Sequence, residues 1–513
     1  MEGYLVYFSA ETWTLLLLLI SLVVVYGYWP YGLFRQLGIP GPKPLPFVGT
    51  LLEYKKAIHE FDMECFQKYG KTWGIYDGRS PVLCTVDSTI IKSVLVKEFY
   101  TYFTNKKEQS LGGPLKGTLF DSKDEEWKRI RSALSPLFTS GRLKEMFWIM
   151  KNHSNTLVKN LEKTAKQGGG VNINKLFGAY TMDVITGSAF SVNIDSLNNP
   201  NDPFASNVKK MMDFNLFSPG LFIAALFPFL LPVMEKLNFS VFSESALEFF
   251  FAALKRIKVD RLDENYKRRV DFLQLMIESQ TSPKNEDQNG DQIKKGLSDN
   301  EILCQSVIFM LAGYESGSSS LSFFFYNMAT NPDAMRKLQE EIDHTFPNQA
   351  QVEYDPLMNM DYLEATLSES LRLFPAANRL DRFCKKTVEI NGITIPKQAS
   401  VVVPIYALHR DPEYWPDPDV FNPERFTKGN KENVDPYMYM PFGAGPRICI
   451  GMRFALVSLK LAIVEILQRF DVSTCDETKI PLEFCSKLFM CPKEPIKLKF
   501  TPRGVGASKN DQH

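Results

Sequence analysis

The sequence has no surplus of either charge: 59 Lys and Arg balance 59 Asp and Glu over 513 residues. Nucleic-acid binders usually carry a basic excess, so that class is set aside, although a local basic patch is not. Eight cysteines, at 65, 84, 304, 384, 449, 475, 485 and 491, include no C-x-x-C pair and no even spacing. In a long chain this predicts reduced thiols in a reducing compartment, not a disulfide framework. The five histidines are scattered, which leaves a zinc site of the usual spacing without support. No internal repeat is found. A last shortage is local: between Glu11 and Arg35 there is no charge at all.

That uncharged stretch contains WTLLLLLISLVVVYGYW, Trp13 to Trp29. A run of this length crosses a bilayer core of roughly 30 Å as a helix. Trp13 at one end and Tyr26, Tyr28 and Trp29 at the other suit the two interfaces. A cleaved signal peptide is the alternative, but Glu2 and Glu11 stand where a basic leader would, and no A-x-A-like site follows. Arg35 and Lys43 after the run place the main body in the cytosol. The sequons at Asn152 and Asn238 are then unused. IPGPKPLPFVG, residues 39–49, has prolines at 40, 42, 44 and 46 and predicts a stiff, extended strut.

Hydrophobic residues make up 44 %, enough for a large core. KTWGIYDG and SPVLCTVD predict a small sheet between about 50 and 100. From about 120 to 380 the pattern is mostly helical, interrupted by a polar loop at 281–296. Residues 387–409 predict a hairpin turning at Asn391-Gly392 and a further strand. The Phe- and Leu-rich segment 214–242 carries Pro228 and Pro232 and is poorly suited to span a membrane. It reads as apolar helices that dip into the bilayer surface, roof a greasy pocket, or pack in the core.

Ser298-Asp299-Asn300-Glu301 has the form of a capping box, and an apolar helical pattern runs from it to Asn331-Pro332. LAGYESGSSS, residues 311–320, lies in the middle, and its glycines cost about 1 kcal/mol each relative to alanine. Two readings stand: a packing notch for a neighbouring element, or a locally opened helix whose Glu315 and Ser316 hold water and pass protons. Glu369 and Arg372, in ESLR, share a helix face, and Arg425, in PERF, could join them as a buried triad.

PFGAGPRICIG, residues 441–451, matches F-x-x-G-x-R-x-C-x-G, which a chain this long meets by chance about once in ten thousand. Its glycines let the backbone approach a flat ligand. Cys449 lies at the start of an apolar run, 452–470, that reads as a buried helix. A helix amino terminus favours a thiolate, and backbone N–H groups there can tune a bound metal. Arg447 could pair with a ligand carboxylate. From the residues alone, Cys449 could pack, attack a substrate or hold a metal.

FGAGPRICIG, ESLR, PERF and AGYES occur in the order and spacing of the cytochromes P-450, haem-thiolate monooxygenases, which the chain resembles over nearly its whole length. SPLFTSGRLKEMF and YMPFGAGPRICIGMRFAL resemble the vertebrate family-three, subfamily-A enzymes that oxidise drugs and steroids. The resemblance implies a mainly α fold with a minor β portion and an N-terminal transmembrane anchor. It divides the chain into an anchor (1–34), a proline-rich strut (35–50) and a cytosolic haem-containing catalytic domain (51–513).

The same resemblance implies haem b, iron protoporphyrin IX, with Cys449 as the ligand to iron. It makes Trp127, Arg131, Arg382, Phe442, Arg447 and Lys106 the other haem contacts, with Lys106 standing where the family has an arginine. Ala312, Gly313, Glu315 and Ser316 match the oxygen-activation stretch, with Ser316 and Gly317 where threonines are usual. Glu369, Arg372 and Arg425 match the structural triad. Phe120, Ile308, Leu311, Ala312, Ala376, Ala377, Asn378 and Phe489 are expected at the substrate pocket. The implied activity is of the unspecific monooxygenase type (EC 1.14.14): one oxygen atom of O2 enters a lipophilic steroid, drug or other xenobiotic.

The implied electron source is NADPH, through NADPH–cytochrome P-450 reductase, with cytochrome b5 as a further partner. The expected setting is the endoplasmic reticulum membrane, in contact with lipid and with no nucleic acid. Lys128, Arg129, Arg453 and Lys460 are candidate contacts for an acidic partner. A reductase-independent isomerase or dehydratase, and a non-catalytic haem sensor or carrier, are the rival functions.

Overall fold

The structure is a computed structural model; it describes residues 9–107, 113–199, 201–212, 218–237, 239–261, 270–280, 296–487 and 489–504. The expected polar loop 281–296 lies outside these except for Gly296, as does Asn238.

Helix α1, Ala10–Tyr28, opens on a Ser9 cap and spans 19 residues, about 28 Å. Its leucines and valines are exposed, so nothing in the body buries them. At its end the Tyr26 hydroxyl donates to Leu226 O (3.1 Å) and the ring stacks on Phe227. The proline segment that follows does not stand free. Gly74 N–H donates to Pro40 O (2.8 Å), Thr50 N–H donates to Tyr76 O (2.8 Å), and the Phe34 ring covers Gly74. Residues 34–50 therefore run along strand β1, Thr72–Asp77, which pairs antiparallel with β2, Ser80–Thr85.

The helical body begins with α2, Asp124–Leu134, then α3, Ser140–Lys166, and α4, Ile173–Phe190. The Phe-rich segment forms α5, Pro219–Leu226, and a short helix from Leu231 to Lys236, bent by 109° around Pro228. Ile223, Phe229, Val233 and Leu237 stay exposed there. The spine of the fold is α6, Asp299–Thr330, capped by the expected box: Ser298 accepts from Glu301 N–H while Glu301 accepts from Ser298 N–H. At 32 residues it is about 48 Å long and packs most extensively on α4.

Helix α7, Asp361–Leu373, leads into β3, Arg379–Phe383. The hairpin β4, Val388–Ile390, and β5, Ile393–Ile395, turns at Asn391 and Gly392, both with positive φ, as a two-residue turn requires. Strand β6, Ser400–Pro404, then fills the sheet centre in the order β1-β2-β6-β3. Helix α8, Met452–Leu467, is buried beside α3, α6 and the strand Phe470–Ser473. The mainly α fold with a minor β portion is as expected. One cysteine expectation fails: Cys485 and Cys491 are joined as a disulfide, Cα to Cα 5.7 Å, while the other six are free. Their spacing of six carries no motif, and only a hairpin turn brings them together.

Candidate functional site

The loop ahead of α8 is held by its own backbone. Cys449 N–H donates to Phe442 O (2.9 Å) and Ile448 N–H to Gly445 O (3.0 Å). Gly445 has φ +72°, and a Cβ there would stand 2.0 Å from Leu95 O, so no other residue fits. This presents Cys449 with accessible surface in a dense setting. Burial raises its thiol above the usual cysteine range, while the Gly451 and Met452 N–H groups and the Arg131 charge act the other way. The sulfur is thus poised to carry negative charge once a cation compensates its desolvation.

Four cations, Arg131, Arg382, Arg447 and Lys106, lie around this loop. Arg382 is 2 % exposed, its Nε has no partner, and burial holds its pKa down to about 10. Arg447 is held to about 9 by burial and by repulsion from Arg382 and Arg131. Lys106 is held to about 8 by burial, with Arg382 and Arg447 adding repulsion. Arginine does not give up its proton in a protein, so this depression measures an unmet demand for negative charge. Asp381 acts favourably on all three, Asp121 on Lys106 and Asp124, which also pairs with Lys385 at 2.8 Å, on Arg447, but burial outweighs them.

Two of these cations also make contacts within the chain. Arg447 gives Nε to Thr104 O and Nη2 to Ser122 O (both 2.7 Å) and lies over the Trp127 ring at 4.5 Å. With Nη1 to Leu119 O (3.4 Å), three of its five N–H donors brace Thr104, Leu119 and Ser122, and two are left for a ligand carboxylate. Lys106 lays its ammonium 3.5 Å from the Phe120 ring centroid, a cation–π contact that ties the cation cluster to a residue expected in the substrate pocket.

Helix α6 runs opposite. The helix is continuous through 311–320, so the expected local opening is absent. The packing notch is what the glycines make: a Cβ on Gly313 would reach Ile185 at 3.0 Å, and one on Gly317 would reach Thr181 at 2.9 Å. Ser316 Oγ donates to Ala312 O at 2.5 Å, staying within its own helix. Ile308, Ala312 and Ser316, at i, i+4 and i+8, form one stripe with accessible surface. Glu315 is half-buried, and burial raises its pKa against the lowering effect of Lys487. Ala376 O accepts from Met490 N–H (3.2 Å), and Ala377 pairs with Phe489, which joins those expected pocket positions. Leu311 and Asn378 are buried, 5 % and 4 % exposed.

The triad forms. Arg372 gives Nε and Nη2 to the Glu369 carboxylate at 2.7 and 2.8 Å, both fully buried, and Arg425 Nε stands 3.5 Å from it. Two expected partner-face cations are engaged elsewhere: Lys460 is 1 % exposed and bonds Glu364 (2.8 Å), and Arg129 binds Glu301 and Gly296 O. Lys128 and Arg453 remain exposed.

Gln305 escaped the sequence reading. Buried in α6, it accepts from Leu119 N–H (2.8 Å) and donates to Gly117 O (2.7 Å), which fixes the loop carrying Phe120. An amide inside the apolar run ILCQSVIFML is the signal that could have found it. Among the described residues, no three His, Cys, Asp or Glu side chains gather as a metal cage. An accessible sulfur backed by N–H donors, a glycine that lets the backbone close in, and buried cations whose charge is only partly offset together fit a flat iron macrocycle bearing carboxylates.

Comparison with known proteins agrees. The family description "Cytochrome P450" matches residues 39–500. The chain is 59 % identical over 503 residues to "Cytochrome P450 3A27" of Oncorhynchus mykiss, covering 98 % of this chain and 97 % of that one. It is 58 % identical over 506 residues to "Cytochrome P450 3A40" of Oryzias latipes, covering 99 % and 100 %. For "Cytochrome P450 3A25" of Mus musculus the identity is 52 % over 495 residues, covering 96 % and 97 %. The chain belongs to the cytochrome P450 family of haem monooxygenases, and its relatives are of the 3A kind.

Proposed function

We propose that this chain is a membrane-anchored haem-thiolate monooxygenase of the endoplasmic reticulum, acting on lipophilic substrates with electrons from NADPH. The observation that carries this is Cys449: accessible, supported by two backbone N–H groups, and set near buried cations whose pKa values stay depressed despite nearby carboxylates. Cys449 would hold the iron, and Arg131, Arg382, Arg447 and Lys106 would meet the carboxylates of haem b, with Phe442 and Trp127 beside them. When bound, the haem would supply the oxygen-activation chemistry, with O2 as the source of the inserted atom.

The chain's own residues supply the rest. Ile308, Ala312, Ala376, Ala377, Phe120 and Phe489 would exclude water and hold an apolar substrate; Leu311 and Asn378 would back them. Gly313 lets α6 seat against α4. Ser316 and Glu315 would hold and move protons, Ser316 turning its hydroxyl from Ala312 O and Glu315 drawing on its raised pKa. Glu369, Arg372 and Arg425 hold the segment before the Cys449 loop. Lys128 and Arg453 would meet the acidic face of NADPH–cytochrome P-450 reductase or cytochrome b5. Helix α1 and the apolar tip around α5 would sit in lipid.

The test is turnover of a steroid by the full-length protein reconstituted with lipid, reductase and NADPH under isotopically labelled oxygen. Product carrying one labelled atom, formed only with NADPH, supports the reading. Product formed without NADPH favours an isomerase or dehydratase. Haem and steroid binding with no NADPH use favours a carrier.

A further inference from the structure

Cys485 and Cys491 face each other across a hairpin that their bond and backbone hydrogen bonds close together. Cys485 N–H donates to Cys491 O (3.0 Å), Lys493 N–H to Glu483 O (2.8 Å), and Phe484 pairs with Pro492. The Lys493 ammonium adds an ion pair to Glu483 at 2.9 Å. A disulfide stabilises a fold by restraining the unfolded chain, and more so for long loops. This one spans only six positions, so it is a poor staple for the whole body. Disulfides on the cytosolic side of a membrane are mostly transient and redox-sensing. Both cysteines are half-buried and within reach of small reagents.

The chain they bracket is part of the pocket wall. Phe489 pairs with Ala377, and Met490, 1 % exposed, donates its N–H to Ala376 O. Lys487 of the same turn lies near enough to Glu315 of α6 to influence it. Closing or opening the sulfur bridge therefore acts on a segment touching both the substrate wall and the helix opposite.

We propose that Cys485 and Cys491 are a redox modification site: hydrogen peroxide oxidises the dithiol, a cellular thiol reduces it, and the state sets how firmly the Phe489 wall is held. In the forward direction the Cys485 thiolate attacks one peroxide oxygen, giving a sulfenic acid and, with one proton, water. The Cys491 thiol then displaces the sulfenic hydroxyl as a second water and forms the S–S bond. Both thiols are oxidised and the peroxide is reduced. Two small thiols return the pair to the dithiol, leaving their own disulfide. This rests on the haem-thiolate reading of the pocket.

The experiment uses the full-length holoprotein, split into peroxide-treated and dithiothreitol-treated samples. Alkylation and mass analysis of the peptide bearing both cysteines reads the pair, and progesterone titration by difference spectroscopy reads the pocket. The expected result is a two-proton mass loss with no alkylation after peroxide, two alkyl groups after dithiothreitol, and at least a threefold difference in progesterone Kd. Cys485→Ser and Cys491→Ser should each show one Kd under both treatments. Full alkylation after peroxide, or a bridge that forms with no change in Kd, overturns the proposal. A reduced carbon monoxide spectrum of the same samples reads the iron ligand separately, so failure of the pocket reading is distinguishable from failure of the pair.

Discussion

Asp183, in α4, is 1 % exposed and accepts the Ser196 N–H at 2.8 Å. Burial pushes its pKa up to about 6, so the folded protein holds a proton there that the unfolded chain has released near pH 4. The stability this proton brings is complete below the unfolded value and is lost as pH rises through about 6. Asp183→Asn should therefore melt close to wild type at pH 4 and above it at pH 8, the gain at pH 8 corresponding to up to about 3 kcal/mol. Thermal unfolding at the two pH values reads this, and equal midpoints at both would contradict it. Cys449 also has its pKa raised by desolvation, but it keeps accessible surface, and the Gly451 and Met452 N–H groups and Arg131 act to lower it.

Among the elements, α6 and α7 carry the clearest consequences. On α6 the glycines serve contact with α4, so Gly317→Ala should lose stability although alanine favours a helix. The added methyl meets Thr181 at 2.9 Å, and overpacking of this kind costs about 1–3 kcal/mol against about 1 gained in propensity. A melting temperature at or above wild type would restore the opened-helix reading. On α7, Glu369→Gln leaves the guanidinium of Arg372 buried with no charge opposite it, and should cost about 3–5 kcal/mol. The measurement is haem retention and melting of the purified variant; wild-type values would show that Arg372 is satisfied by its carbonyl partners His409 and Pro418 alone.

Much at this scale was legible. The capping box of α6, the Asn391-Gly392 turn and the Glu369–Arg372 pair depend on residues a few positions apart, where local geometry decides. Arg447 reaching Thr104, 343 positions away, depends on the whole fold. So does the seating of Lys460 on Glu364, which removed it from the expected partner face. The Cys485–Cys491 bridge was missed because spacing alone does not define connectivity.

For the whole molecule, two exposed apolar surfaces, that of α1 and that around α5, meet. Tyr26 of α1 contacts Phe227 and Phe229 beside α5, and Ile223, Val233 and Leu237 lie exposed in the same segment. A variant lacking residues 1–28 should consequently retain partial binding to phospholipid vesicles, and Phe229→Ser with Leu237→Ser should remove most of the remainder. Vesicle co-sedimentation measures this; complete release on truncation alone would confine lipid contact to α1.

The central claim joins Cys449 to iron, and one measurement addresses it directly: the absorption spectrum of the purified protein, reduced, under carbon monoxide. The expected result is a strongly red-shifted Soret band, which requires a cysteine thiolate opposite the gas. A Soret band at the position typical of histidine-ligated haem, or no haem band at all, would contradict the assignment of Cys449.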